Sequence, residues 1–304
     1  MPEEPDENSI HLKNKTILMS EGDAILNTNY LFIGTVKIGS QGQQFNLILD
    51  TGSYIVWVAK YGSIDEYKIV NHFYPTSSTT CTATGNEFEQ KYETGYCKGY
   101  YYKDYFNYIN NKNFYIQFGV ADKTQLNVDK GDGIIGLAHY YPDESLSFIH
   151  MLKKAGITNS ISFSMKLDYK KKAGSLYIGR HDDFSDAITC PLLTFQGMSN
   201  IYWVCEISGF GLRNAQHEIS SSRSFNNIIF DTGTNFILLP MQYYEDIKDN
   251  LKLFGCGSRK TDKYLSIYCS VSNTDDLPNL TLKINGNTLI IPRNNLFSRS
   301  NISP

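Results

Sequence analysis

Two short stretches of this sequence join an acid to the residues that would fix it in place: Asp50-Thr51-Gly52-Ser53 and Asp231-Thr232-Gly233-Thr234. Asn46-Leu47-Ile48-Leu49 leads into the first and Tyr54-Ile55-Val56 leaves it; Asn227-Ile228-Ile229-Phe230 leads into the second and Asn235-Phe236-Ile237 leaves it. One Asp-Thr-Gly is an ordinary turn. A second copy in the same apolar bracket, 181 residues on, is an internal repeat. A strand that ends on Asp and breaks into a Gly turn holds the carboxylate rigidly, because Gly lets the backbone pack close. Thr51 and Thr232 can each reach a backbone group of the opposite loop, and Ser53 and Thr234 can hydrogen-bond the outer carboxylate oxygens. Two carboxylates brought together cannot both ionise cheaply, so they share a proton. Such a pair can hold a water, one member drawing its proton while the other polarises a carbonyl. That is general acid–base hydrolysis, with no covalent intermediate and no metal.

The elements that must position these acids are mostly strands. Tyr30–Ile38, Gln44–Leu49, Ile55–Ala59, Phe114–Phe118, Ser175–Ile178 and Thr281–Ile284 are short, rich in Ile, Val, Tyr and Phe, and bounded by Gly, Asn or Ser. The Tyr-dense stretch from Tyr96 to Tyr115 reads as an edge or hairpin surface. Two helices are predicted. Ser145–Ala155 puts Leu146, Ile149 and Leu152 on one face and stops at Gly156; Met241–Leu251 follows Pro240 and groups Tyr244, Ile247 and Leu251. One copy of the repeat per lobe is the simplest organisation, and no linker-like tract separates the lobes. The expected division is residues 1–21 as an N-terminal extension, 22–188 as the first lobe and 189–304 as the second.

Composition narrows the partners. The 28 Lys and Arg against 31 Asp and Glu give a net charge of −3, without the basic excess of a phosphate-binding surface, so no nucleic acid is expected. With 22 Tyr and 17 Phe the chain is not a disordered coil. Its apolar runs are too short for a membrane-spanning helix. Six cysteines fall in three neighbouring couples: Cys81 and Cys97, Cys190 and Cys205, Cys256 and Cys269. Six cysteines allow 15 connectivities. Nearest-neighbour pairing would staple three hairpin-sized loops and imply an oxidising compartment; buried free thiols are the alternative. Met1–Ser20 carries Glu3, Glu4, Asp6 and Glu7 and no apolar signal region. The sequons at Asn14 and Asn279 are compatible with secretion, and the one at Asn301 is weakened by Pro304.

Over most of its length the chain resembles the eukaryotic, bilobal, pepsin-like aspartic proteases. Phe32–Gly39 with Phe45–Val58 is similar to the family's first catalytic strand pair, ending in Asp50-Thr51-Gly52-Ser53, and Asp231-Thr232-Gly233-Thr234 to its second catalytic loop. Trp57 stands at the family's Trp position. His72–Thr80 followed by Tyr92-Glu93-Thr94-Gly95 is similar to the approach to the flap, with Tyr92 as the flap tyrosine that covers substrate and pairs with Trp57. Asp132-Gly133-Ile134-Ile135-Gly136-Leu137-Ala138 resembles the segment that supports the first active-site loop. Gly174–Gly179 and Tyr202-Trp203 match later landmarks. The resemblance implies a mainly β, two-lobed fold and an acid-favoured endopeptidase. Asp50 and Asp231 would be catalytic. Tyr92, Gly52, Thr94, Gly233 and Thr234 would contact substrate, and Thr51, Ser53, Thr232 and Trp57 would support the dyad. It implies peptide or protein substrates, no cofactor, no metal, a monomer, and a secreted, lysosomal or vacuolar location.

The chain also departs from the pattern. Glu93 replaces the glycine usual after the flap tyrosine, which should stiffen the flap and add a charge. A Cys81–Cys97 bridge would tie down the flap base. Tyr54 and Asn235 replace small hydroxyl residues after Ser53 and Thr234, altering the cleft floor. The supporting segment starts 82 residues after Asp50, so a symmetric second copy would fall near position 313, beyond Pro304. Leu253-Phe254-Gly255 lies too close and follows a helix. The second supporting segment is therefore expected to be absent from these residues. That makes a catalytically silent peptide-binding protein on the same fold, or an inactive fragment, the alternative readings. Lys13 or Lys15 could act as a temporary counter-ion to the dyad.

Other motifs carry less. Gly131-Asp132-Gly133-Ile134-Ile135-Gly136 fits a dinucleotide fingerprint, but no apolar strand precedes it and no helix opens on it. His217-Glu218 starts a zinc motif, but Ser221 occupies the second histidine position. His181-Asp182-Asp183 and Lys170-Lys171-Lys172 read as solvated turns, and no nucleophile-elbow sequence is present.

Overall fold

The structure, a computed structural model, describes residues 9–13, 31–107, 113–128, 131–168, 173–179, 188–193, 201–221, 227–234, 237–260 and 265–297. Asn14, Lys15, Lys170–Lys172, His181–Asp183, Asn235 and Asn301 lie outside them.

The first ten strands form one sheet. They are β1 (Ser9–Lys13), β2 (Ile33–Ile38), β3 (Gln43–Asp50), β4 (Val56–Asp65), β5 (Thr82–Tyr92), β6 (Gly95–Asn107), β7 (Asn113–Thr124), β8 (Gly133–Gly136), β9 (Phe163–Asp168) and β10 (Ala173–Ile178). Their order is β5-β6-β7-β4-β8-β3-β2-β1-β10-β9. β1, from the predicted N-terminal extension, inserts between β2 and β10. The helix α1 (Phe148–Lys154) buries Phe148, Ile149 and Leu152 against the sheet. It starts three residues later than the apolar spacing predicts, because residues 141–146 coil into turns.

The middle of this sheet is covered on both faces. Leu47 and Leu49 point into one apolar cluster with Phe45, Val58, Phe106 and Phe118; Ile48 points into another with Ile55, Trp57 and Ile134. Hence β3 reads as an unbroken apolar run instead of an alternation. The β8 strand runs parallel to β3 and antiparallel to β4, filling the gap between them. A Cβ on Gly136 would lie 2.4 Å from the Tyr54 carbonyl carbon, so only glycine lets β8 come this close. The Asp132 carboxylate at its head accepts from the Asn46 and Asn71 backbone amides at 2.8 and 3.0 Å and from Asn71 Nδ2 at 2.9 Å.

The second half has its own core. β12 (Gly209–Arg213), β13 (Glu218–Ser220), β17 (Asn279–Ile284) and β18 (Asn287–Ile291) form a four-stranded sheet. Two short pairs accompany it: β11 (Val204–Cys205) with β14 (Ile228–Ile229), and β15 (Cys256–Lys260) with β16 (Leu265–Cys269). The helix α2 (Met241–Ile247) packs Tyr243 and Ile247 onto Phe210, Leu280 and Leu282, and a short α3 (Arg293–Leu296) follows β18. Leu253-Phe254-Gly255 closes a 3-10 turn after α2, with Gly255 left-handed at φ 65°, and is no supporting strand. Asn279, the one described sequon asparagine, uses its side-chain oxygen to accept from the Arg293 amide at 2.8 Å.

One of the three expected cysteine pairings is present. Cys256 and Cys269 are bonded, face to face at the open end of the β15–β16 hairpin. Cys81 and Cys97 are free thiols. The hairpin register forbids their bridge: Thr82 lies opposite Lys103, whereas Cys97 lies opposite Gln90. Several residues of strand therefore separate the two sulfurs, well beyond the roughly 7 Å between Cα atoms that a disulfide tolerates. Cys190 and Cys205 are also free; they meet within hydrogen-bonding reach as thiols.

Candidate active site

The two Asp-Thr-Gly turns meet tip to tip. Gly52 packs so close to Asp231 that a Cβ there would lie 2.5 Å from the carboxyl carbon. One on Gly233 would lie 2.4 Å from Asp50 Oδ1. Each glycine is thus the platform for the opposite acid. Within each loop the carboxylate is clamped in the same way. Asp50 accepts from the Gly52 amide at 2.8 Å and from Ser53 Oγ at 2.5 Å. Asp231 accepts from the Gly233 amide at 2.8 Å and from Thr234 Oγ1 at 2.8 Å.

The threonines lock the loops together. The Thr51 amide donates to Thr232 Oγ1 at 3.0 Å, and the Thr232 amide donates to Thr51 Oγ1 at 2.9 Å. Their hydroxyls donate onward, Thr51 to the Phe230 carbonyl at 2.6 Å and Thr232 to the Leu49 carbonyl at 2.7 Å. Four hydrogen bonds thereby join residues that are far apart in sequence, and each hydroxyl uses both its donor and its acceptor capacity.

Burial and proximity set the electrostatics. The Asp50 carboxyl is pushed from 3.8 up to about 7, first by burial, then by the charge of Asp231 within hydrogen-bonding reach; the Ser53 hydroxyl and the Gly52 amide pull the other way. A carboxyl so placed holds a proton where a free one would have lost it.

The hairpin β5–β6 overhangs the site. Its tip is the two-residue turn Glu93-Thr94 between Tyr92 and Gly95. Glu93 and Thr94 are exposed and need no left-handed backbone, so glutamate fits where glycine was expected. The Tyr92 hydroxyl accepts from Trp57 Nε1 at 2.8 Å. Burial raises its pKa well above the ordinary phenol range, and Ser53 lies within hydrogen-bonding reach. Cys97, on the return strand, is buried against the same phenol; burial raises its pKa too. Below the first loop, Leu137 and Ala138 donate from their amides to the Asp50 and Ser53 carbonyls at 2.7 and 2.9 Å.

All the residues expected to serve or support a dyad thus converge, except Thr94, which stands at the hairpin tip. One wall was not legible in the sequence. His139 Nε2 pairs with the Tyr202 carbonyl at 2.7 Å, and Trp203 Nε1 donates to the Leu137 carbonyl at 2.9 Å. These contacts hold Tyr202 beside the dyad, where both carboxylates raise the pKa of its phenol, secondarily to burial. Tyr202-Trp203 was visible as a motif, but nothing in its spacing gave its place.

The chain belongs to the eukaryotic aspartyl protease family, whose model matches residues 31–303. The fold is accordingly the mainly β, bilobal, pepsin-like one. Curated relatives agree at low identity. Gastricsin of Oryctolagus cuniculus is 27% identical over 265 residues, 84% of this chain and 65% of that protein. Gastricsin of Homo sapiens is 26% identical over 280 residues, covering 89% and 69%. Cathepsin E of Rattus norvegicus is 29% identical over 276 residues, covering 85% and 65%. The chain spans about two thirds of the length of these relatives.

Proposed function

We propose that this protein is an aspartic endopeptidase with Asp50 and Asp231 as its catalytic pair. The observation that carries the reading is the convergence of two identically clamped carboxyls that share hydrogen-bonding reach. At acid pH the pair holds one proton. The protonated member donates to the peptide carbonyl, and the ionised one takes a proton from the attacking water. Thr51 and Thr232 fix the spacing, and Ser53 and Thr234 fix the outer oxygens. Tyr92, held by Trp57, covers the bound chain; Thr94, Gly52 and Gly233 offer it contacts. The lobes of the cleft are residues 22–188, whose sheet takes in β1 from the N-terminal segment, and 189–304. The substrates are peptides with bulky apolar side chains at the cleaved bond. A secreted, lysosomal or vacuolar compartment fits the disulfide between Cys256 and Cys269, and the chain acts as a monomer.

The test is cleavage of a denatured protein substrate from about pH 3 to about pH 7, with and without pepstatin. Pepstatin-sensitive, acid-favoured cleavage is expected; none at any pH defeats the reading. A second reading, a peptide-binding protein without turnover, draws on the open apolar surface beside the second loop, where Phe230 is 45% and Leu238 53% exposed. Asp231→Asn separates the two: it abolishes cleavage by an enzyme but leaves a binder's peptide affinity nearly intact.

A further inference from the structure

A cavity of about 420 Å³ opens in the second half of the molecule, lined by none of the residues that make up the dyad. Three segments wall it: the turn between β12 and β13, the end of the 3-10 turn after α2, and the stretch that follows β16. The walls are braced against one another. Asn214 Oδ1 accepts from the Gln216 and His217 amides at 2.9 and 2.7 Å, and its Nδ2 donates to the Asp276 carbonyl at 2.7 Å, which ties the first wall to the third. The His217 ring stands edge-on to Phe254 with centroids 6.1 Å apart, which ties the first to the second. The Ser270 amide donates to the Gly255 carbonyl at 2.9 Å, directly beside the Cys256–Cys269 disulfide, which ties the second to the third. The recess is therefore set before a ligand arrives, and little further ordering opposes binding.

The Gln216 amide, the His217 ring nitrogens, the Ser270 and Ser272 hydroxyls and the Asp276 carboxylate line this recess, and none of them has a side-chain hydrogen bond or ion pair among the described residues. Leu253 and Val271 add an apolar patch. Sites for apolar ligands are lined mainly by aliphatic and aromatic side chains; this lining is mainly polar. An anion needs donors, but the unpaired Asp276 carboxylate repels it. A cation needs acceptors alone and leaves the donors of Gln216, His217 and the two serines unused. We propose that the cavity binds a neutral saccharide ring. Each sugar hydroxyl both donates and accepts, which suits a lining of mixed donors and acceptors. The two Asp276 oxygens suit a pair of neighbouring hydroxyls, and Leu253 and Val271 suit the C–H face of the ring. Such a site is separate from the dyad and works whether or not the dyad turns over.

The test titrates the full chain with the methyl glycosides of glucose, galactose, mannose and N-acetylglucosamine, followed by calorimetry. At least one should bind with a Kd of about 1 mM or tighter. Asp276→Leu should weaken that binding about tenfold and Gln216→Ala about threefold, because a hydrogen bond to a charged group outweighs one between neutral groups. Should Asp276→Leu fail to melt cooperatively, Asp276→Asn keeps the shape and should still cost about threefold. No binding by any of the four glycosides, tighter binding of free lysine or inorganic phosphate, or an affinity unmoved by the variants overturns the proposal. An N-glycosylated peptide carrying the preferred sugar separates the two sources of such a ring. Affinity above that of the methyl glycoside assigns the site to protein-linked glycans, and equal affinity assigns it to free sugars.

Discussion

The two Asp-Thr-Gly loops share their hydrogen bonds but not their foundations. Behind Asp50, which is 5% exposed, Leu49 and Trp57 are fully buried and β8 seals the gap between their strands. Beside Asp231, Phe230, Ile237 and Leu238 are 45%, 51% and 53% exposed, and β14 pairs only with β11 among the described residues. Packing fixes the first carboxylate; the second is fixed mainly by what it borrows across the interface, through Thr51, Thr232 and Gly52. One rigid foundation and a reciprocal lock thus hold both acids here. Hydrogen bonds to the opposite backbone transmit the rigidity of the first loop to the second.

Substitutions can break this comparison. The largest effect is on turnover: Asp50→Asn and Asp231→Asn should each lower kcat/KM by about a thousandfold or more, because neither loop works alone. Retention of most activity by either variant would show that the loops do not act as a pair. Next is stability. Gly136→Ala forces a Cβ into the Tyr54 backbone and should cost about 3 kcal/mol in denaturant melts, whereas Leu238→Ser, on the open side of the second loop, should stay within about 0.5 kcal/mol. Equal costs would erase the asymmetry. Thr232→Val leaves the Thr51 amide and the Leu49 carbonyl without their partner and should cost about 1–3 kcal/mol. Thr51→Val should match it, since the lock is reciprocal.

The smallest effects lie in pH dependence. Asp50 binds its proton more tightly folded than unfolded, so between about pH 4 and about pH 7 the native state carries more protons and stability falls as pH rises. Asp50→Asn should flatten that slope in melts across pH. The buried His139 and His150 have the opposite sign. Burial lowers both pKa values, so stability falls as pH drops below the ordinary histidine range, and His139→Gln should soften that acid limb. Ser53→Ala removes a bond that favours ionised Asp50 and should move the alkaline limb of activity upward.

Much of this was legible in the residues. The duplicated motif announced the dyad, since residue type and bracket determine a strand-end carboxylate. Apolar runs located β2, β3 and β17 to within a few residues and the start of β4, which runs on past Ala59 to Asp65 through polar positions. Three things were not legible. Cysteine pairing depends on hairpin register, and the bulged β5–β6 ladder puts Cys81 opposite the wrong end of β6. The Tyr54–Tyr140 stack joins residues whose spacing has no local period. Glu93 was read as a stiffening departure because the type of turn at the hairpin tip could not be foreseen.

Two loops, unequally founded, make one acid pair, and kcat/KM against pH for pepstatin-sensitive cleavage by the wild-type chain and by Asp231→Asn tests this. The wild-type profile should fall away on the alkaline side near about pH 7, the value to which Asp50 is raised, and the variant should stay at background throughout. Activity that keeps rising through alkaline pH, or that survives Asp231→Asn, would contradict it.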